Sequence, residues 1–136
     1  MTDSLKPTHR SWLMSRVTGK DTKPELAVRR IAHSLGLRFR LHKRDLPGRP
    51  DLVFPKHRLA VFVHGCFWHR HEGCRLASTP KTRADFWQAK FETNVARDAA
   101  AAEQLAALGW NVLVLWECET RDAAGVEMAL RQAIHR

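Results

Sequence analysis

One stretch of this chain has to be irregular, and it limits everything around it. Residues 65–80 run Gly-Cys-Phe-Trp-His-Arg-His-Glu-Gly-Cys-Arg-Leu-Ala-Ser-Thr-Pro. They show neither the two-residue period of a half-buried strand nor the 3.6-residue period of a helix, and Gly and Pro punctuate them. A segment this long without a backbone ladder inside a compact domain needs an internal tie. The chain has three cysteines, Cys66, Cys74 and Cys118, two of them in this stretch. An odd number fits a disulfide framework poorly, whereas clustered Cys and His more often bind metal. Three thiolates and one imidazole make a soft four-donor set that suits tetrahedral zinc and leaves no position open for catalysis. Such an ion would pin the irregular loop onto the strand that precedes Cys118, which is a structural role. Spacing alone leaves both His69 and His71 within reach as the fourth ligand.

The flanking sequence predicts an α/β domain. Thr22-Lys23-Pro24-Glu25 is a capping box with proline in the first turn, and Gly36 stops the helix, so a helix covers about 22–35 with Ala27, Ile31 and Leu35 inward. Leu37, Phe39 and Leu41 alternate with Arg38, Arg40 and His42 as a strand. The turn Pro47-Gly48-Arg49-Pro50 delivers Asp51 to a second strand, Leu52–Phe54, and Leu59–Val63 forms a third. A long helix is expected from Thr82, with Asp85 in its cap, to Gly109, carrying Phe86, Phe91, Val95 and Leu105. Trp110–Trp116 reads as a strand buried on both faces, and a last helix covers about 122–134. This order implies a mixed central sheet flanked by helices.

A chain of 136 residues, 44% hydrophobic and 27% charged, matches one globular domain. Its formal charge of +9 is less ordinary and points to a polyanionic partner. Basic residues dominate the first half. Residues 1–21 are expected to be a basic arm that orders on that partner, and 22–136 the folded domain. No run of eighteen apolar residues and no signal-peptide core occur, so a cytoplasmic, nucleoid-associated protein without membrane contact is expected.

Asp51 after Pro50, followed by polar residues at the end of the next strand, resembles the catalytic edge of restriction-endonuclease-like nucleases. The usual acidic residue and lysine two apart are replaced here by Phe62-Val63-His64. That departure, with Leu46-Pro47-Gly48-Arg49-Pro50-Asp51, His64-Gly65-Cys66-Phe67-Trp68-His69, Phe86-Trp87, Asn94-Val95, Arg97-Asp98 and Trp116-Glu117-Cys118, resembles the very-short-patch-repair (Vsr) mismatch endonuclease family along nearly the whole chain.

The resemblance implies a magnesium-dependent DNA endonuclease that nicks one strand 5′ to the thymine of a thymine:guanine mismatch left by deamination of 5-methylcytosine. It implies that Asp51 ligates magnesium with the backbone carbonyl of Val63, and that Glu25 holds water in the ion's shell. His69 activates water or handles protons, and His64 contacts the scissile phosphate. Cys66, His71, Cys74 and Cys118 match the family's zinc ligands, which selects His71 over His69. Phe67, Trp68 and Trp87 are implied to wedge into the base stack from the major groove, and Met14 from the minor groove. A mismatch lowers the unstacking cost.

Trp12 stands beside Met14, and Arg16 and Lys20 are candidate phosphate contacts. Monomeric action and mismatch-repair proteins as partners are expected. Two rival functions are a related nickase without a mismatch requirement and a non-catalytic zinc-containing DNA-binding module. His9, His33, His42, His57 and His135 read as surface or packing residues.

Overall fold

The computed structural model describes residues 22–135. Met14, Trp12, Arg16 and Lys20 lie outside them. Helix α1 (Lys23–Ser34) begins where expected, with the Thr22 hydroxyl accepting the Glu25 N–H at 3.4 Å. It ends at Leu35, and Gly36 follows at φ +75°. Its buried stripe is Glu25, Val28 and Ala32, with Ile31 and Leu35 packed at its side. The stripe is thus rotated from the expected Ala27, Ile31 and Leu35. A charged residue occupies one of its inward positions, and a count of apolar residues cannot see that.

Strands β1 (Arg40–Leu41), β2 (Leu52–Phe54), β3 (Leu59–His64) and β4 (Asn111–Trp116) form one sheet in the order β1-β2-β3-β4. The first two pairings are antiparallel and β3–β4 is parallel. A parallel pair needs a long crossover. Here it is the irregular loop plus helix α2 (Ala84–Ala107). Helix α3 (Ala123–Ile134) closes the chain, capped by Asp122, whose carboxylate accepts the Gly125 N–H at 3.2 Å.

Strand alternation divides the core in two. Leu52, Phe54, Leu59 and Val61 pack with Val28 and Ala32 of α1 and with Val126 and Leu130 of α3. Ala60 and Phe62 face the other way, onto Ala101 and Leu105 of α2. The result is three layers with β3 at the centre, its first four residues fully buried.

Two expectations change. In β4 only Leu115 is buried and the other residues are half-buried, because β4 is the end strand of the sheet among the described residues. Helix α2 starts at Ala84, without a Thr82 cap; Arg83 precedes it in the left-handed region at φ 56°. Phe86 and Val95, expected inside, are exposed. The inward residues of α2 are Trp87, Phe91, Asn94, Asp98, Ala101 and Leu105, at alternating spacings of three and four.

The turn before Asp51 is packed as well as tight. Gly48 has φ +75°, and a Cβ there would lie 2.6 Å from the Cβ of Ala101 and 3.1 Å from the Phe62 ring. Gly48→Ala is therefore expected to cost about 2–4 kcal/mol, adding left-handed strain to a clash with α2. Chemical denaturation would measure it. A cost below about 0.5 kcal/mol would mean that α2 is not held against this turn.

Candidate active site and metal centre

Asp51 stands just before β2, and its Oδ2 accepts the N–H of Val63 in β3 at 2.6 Å. Beside it, the Glu25 carboxylate is 1% exposed. Arg29 Nη2 holds Glu25 Oε2 at 2.6 Å, and His42 Nε2 lies 3.2 Å from the same oxygen. Donor atoms of Glu25, His42 and Asp51 all fall within 4.8 Å of one another. Burial pushes the Asp51 carboxyl up to about 8. The Val63 N–H opposes the rise, the Glu25 carboxylate adds to it, and Arg29 relieves it. Two carboxylates this close are an arrangement that a hard divalent cation would relieve, and their oxygen donors fit magnesium.

The second cluster lies at the end of β3, on the α2 side. His64 and His69 stack with ring centroids 4.0 Å apart and planes 6° from parallel. Asp98 of α2 lies 2.5 Å from His69 Nδ1 and 4.0 Å from His64 Nε2. Burial, then the neighbouring His69, lowers His64 to about 4, against the pull of Asp98, so His64 is neutral at physiological pH. Its Nδ1 is buried with no hydrogen-bond partner among the described residues.

The third cluster contains every cysteine. Cys66, His71, Cys74 and Cys118 place one donor atom each within 4.8 Å of the others. His71 Nδ1 lies 3.6 Å from the Cys66 sulfur and 3.4 Å from that of Cys118. His71 also stacks on Trp116 at 4.3 Å, which orients its ring. Three sulfurs and one imidazole converging from two segments fit a closed tetrahedral zinc site. His69 is turned to Asp98 instead, so the geometry assigns the two histidines to different clusters.

Two side chains, Arg70 and Asn94, tie the loop between these clusters. Arg70 donates to the carbonyls of Phe67 (3.2 Å), Ser78 (3.1 Å) and Ala77 (2.7 Å) and to the Thr79 hydroxyl (3.1 Å). Its guanidinium lies 4.0 Å over the Phe91 ring. Asn94 donates to the Trp68 carbonyl at 3.2 Å. Phe67, Trp68 and Trp87 meet in one aromatic group: Phe67 lies 5.1 Å from Trp68 and 5.5 Å from Trp87, and Trp68 lies 5.7 Å from Trp87. All three rings remain half-buried.

Every expected site residue within the described range thus falls into one of these groups. Sequence reasoning assigns no site role to Asp98, Asn94, Arg29 or His42. Asp98 and Asn94 carry a readable signal, since they are polar residues on the inward stripe of an amphipathic helix. His42 reads in the sequence as a surface or packing residue, and nothing in its local sequence shows that it meets Glu25.

The profile of the family described as DNA mismatch endonuclease Vsr matches residues 2–75. The chain belongs to the Vsr family. It is 54% identical over 134 residues to the Type II nicking enzyme V.XorIIP of Xanthomonas oryzae pv. oryzae, covering 98% of both chains. It is 41% identical over 121 residues to the DNA mismatch endonuclease Vsr of Escherichia coli (strain K12), covering 89% of this chain and 77% of that one. Among solved structures, the catalytic domain of the homing endonuclease I-Bth0305I superposes with a TM-score of 0.59 at 19% identity, over 83% of this chain and 94% of that one. The fold of this Vsr-family chain is therefore that of a nuclease catalytic domain, with the expected mixed sheet between helices.

Proposed function

We propose that this Vsr-family protein hydrolyses one strand of duplex DNA 5′ to the thymine of a thymine:guanine mismatch, in a magnesium-dependent reaction that starts a short repair tract. One observation carries the reading: Phe67 and Trp68, which meet Trp87 of α2, share a loop with His69, which stacks on His64 at the end of β3. Rings able to open a base stack stand beside groups able to move a proton.

Asp51 and the Val63 carbonyl would hold the magnesium, with the Glu25 carboxylate beside them. Bound there, the ion supplies Lewis-acid stabilisation of the more negative transition state of phosphodiester hydrolysis. Arg29 and His42 keep the Glu25 carboxylate in place. His69 takes a proton from the attacking water or hands one to the leaving oxygen. With Asp98 accepting from its Nδ1–H, its Nε2 is left for that transfer. Neutral His64 meets the scissile phosphate as a hydrogen-bonding group. Cys66, His71, Cys74 and Cys118 hold zinc that fixes the loop, and Met14, in the N-terminal segment, enters the stack from the other groove.

Asp98→Asn preserves shape but weakens the orientation of His69. It is expected to lower kcat by about 10–100-fold with little change in duplex affinity. Single-turnover nicking with parallel binding measurements would check this, and an unchanged kcat would remove His69 from the proton path.

A second reading is a nickase indifferent to mismatches, favoured by the name of the 54% identical relative. End-labelled duplexes differing only in a central thymine:guanine or thymine:adenine pair, incubated with the protein and magnesium, separate the two. Cleavage of the mismatched duplex alone is expected. Equal cleavage of both would establish the second reading, and binding without cleavage would leave a DNA-binding module.

A further inference from the structure

At the opposite end of β3 from His64, a groove of about 800 Å³ opens beside β1. Leu37, Phe39 and Pro55 contribute its apolar surface, and Arg38, Arg40 and Lys56 its cations. Phe39 rests on Phe54 of the core at 5.9 Å, so this apolar surface is fixed. The three cations are exposed, and none has an ion pair or side-chain hydrogen bond among the described residues. No carboxylate lines the groove.

Strand β1 is also an end strand of the sheet among the described residues. Arg40 pairs with Val53 and Leu41 with Leu52, and the His42 N–H bonds the Asp51 carbonyl at 3.2 Å. In an antiparallel ladder, bonded positions alternate. Arg40 and His42 therefore point their backbone groups into the sheet, while Leu41 turns its N–H and C=O outward. Along the segment, Arg38 and Arg40 fall on one face and Leu37 and Phe39 on the other.

We infer that this edge and groove bind an extended segment of a partner protein in which acidic and apolar residues alternate, added to the sheet beside β1. Such a segment satisfies the outward backbone groups, pairs its carboxylates with Arg38, Arg40 and Lys56, and lays its apolar side chains on Leu37 and Phe39. A DNA duplex has phosphates for the cations but nothing to place on the apolar surface. The chain's own residues 1–21 carry Lys6, Arg10, Arg16 and Lys20 against Asp3 and Asp21, the same sign as the groove.

The test uses the full chain and a fluorescein-labelled octapeptide of alternating Glu and Val, read by fluorescence anisotropy. A peptide of the same composition with its Glu and Val in separate blocks serves as control. Saturable binding of the alternating peptide is expected, with the block peptide binding about tenfold more weakly. The charge-neutral triple variant R38Q/R40Q/K56Q and the variant Leu41→Pro, which removes an outward N–H and leaves the ladder to β2 intact, should each weaken it by about tenfold as well. Circular dichroism confirms that both variants fold, and kcat for nicking at saturating duplex stays unchanged in both. Three results would overturn the inference: equal binding of both peptides, no effect of either variant, or peptide binding that appears only after residues 1–21 are removed. Loss of duplex affinity in the triple variant without any peptide binding would instead assign the groove to DNA.

Discussion

Asp51→Asn is expected to lower the rate of strand nicking by about a thousandfold or more, while duplex affinity stays within a few-fold. The substitution keeps the size of the side chain and an oxygen able to accept the Val63 N–H, so β2 and β3 remain in register. What disappears is the carboxylate that a bound divalent cation would hold in its charged form beside Glu25. Lewis-acid stabilisation by a well-placed ion contributes several kcal/mol, and about 4 kcal/mol is a factor of a thousand in rate. The groups proposed to contact phosphate and to open the stack lie elsewhere, so binding should persist. Pre-steady-state nicking and a gel-shift titration on the same mismatched duplex measure the two quantities separately. Nicking at the full rate would remove Asp51 from the metal site.

Cys66→Ser should have the largest effect on the folded state. Cys66 is fully buried, its N–H donates to Glu117 at 3.2 Å, and its sulfur faces His71. Loss of one thiolate would leave three donors for the proposed zinc, whose binding free energy would be coupled to folding. The variant should purify without stoichiometric zinc and lose on the order of 3 kcal/mol or more of stability. Its nicking should fall with them, although Asp51 and Glu25 are untouched, because His69 sits in the chain between Cys66 and His71. Atomic absorption on the purified protein and a denaturant titration provide the readouts. Wild-type protein free of zinc, or a variant that retains it, would sink the assignment.

The legible and illegible parts of this molecule differ by the range of the interactions behind them. The Thr22 cap, the stop at Gly36, the turn from Pro47 to Pro50 and the strands Leu52–Phe54 and Leu59–Val63 all rest on local chemistry and stand where the sequence places them. The start of α2 was misplaced because Arg70, tying four oxygens of the loop, and the Phe67–Trp87 contact act across the loop rather than along the helix. The apolar run of β4 suggests double burial, but among the described residues this strand has a neighbour on one side only. At the candidate site, Cys66, His69, His71 and Cys74 are visible as a cluster within one loop, with His64 just before it. Asp98 shows only as a polar residue on the inward stripe of α2, and the meeting of His42 with Glu25 does not show at all; their partners lie 29 and 17 residues away in sequence, Asp98 to His69 and His42 to Glu25.

The parallel pairing of β3 with β4 also sets an order of events during synthesis. Arg58 and Asn111 close one end of that ladder and His64 and Glu117 the other, so the two strands meet only after some fifty intervening residues have been made. Asp98, Trp116 and Cys118 join their clusters at the same step. Closing so long a connection is slow relative to forming α1 or the β2–β3 hairpin. A nascent chain would thus carry Asp51, His64 and His69 well before it could orient them. The topology makes the cutting centre one of the last parts of the molecule to mature, and a chain truncated before β4 should be catalytically silent.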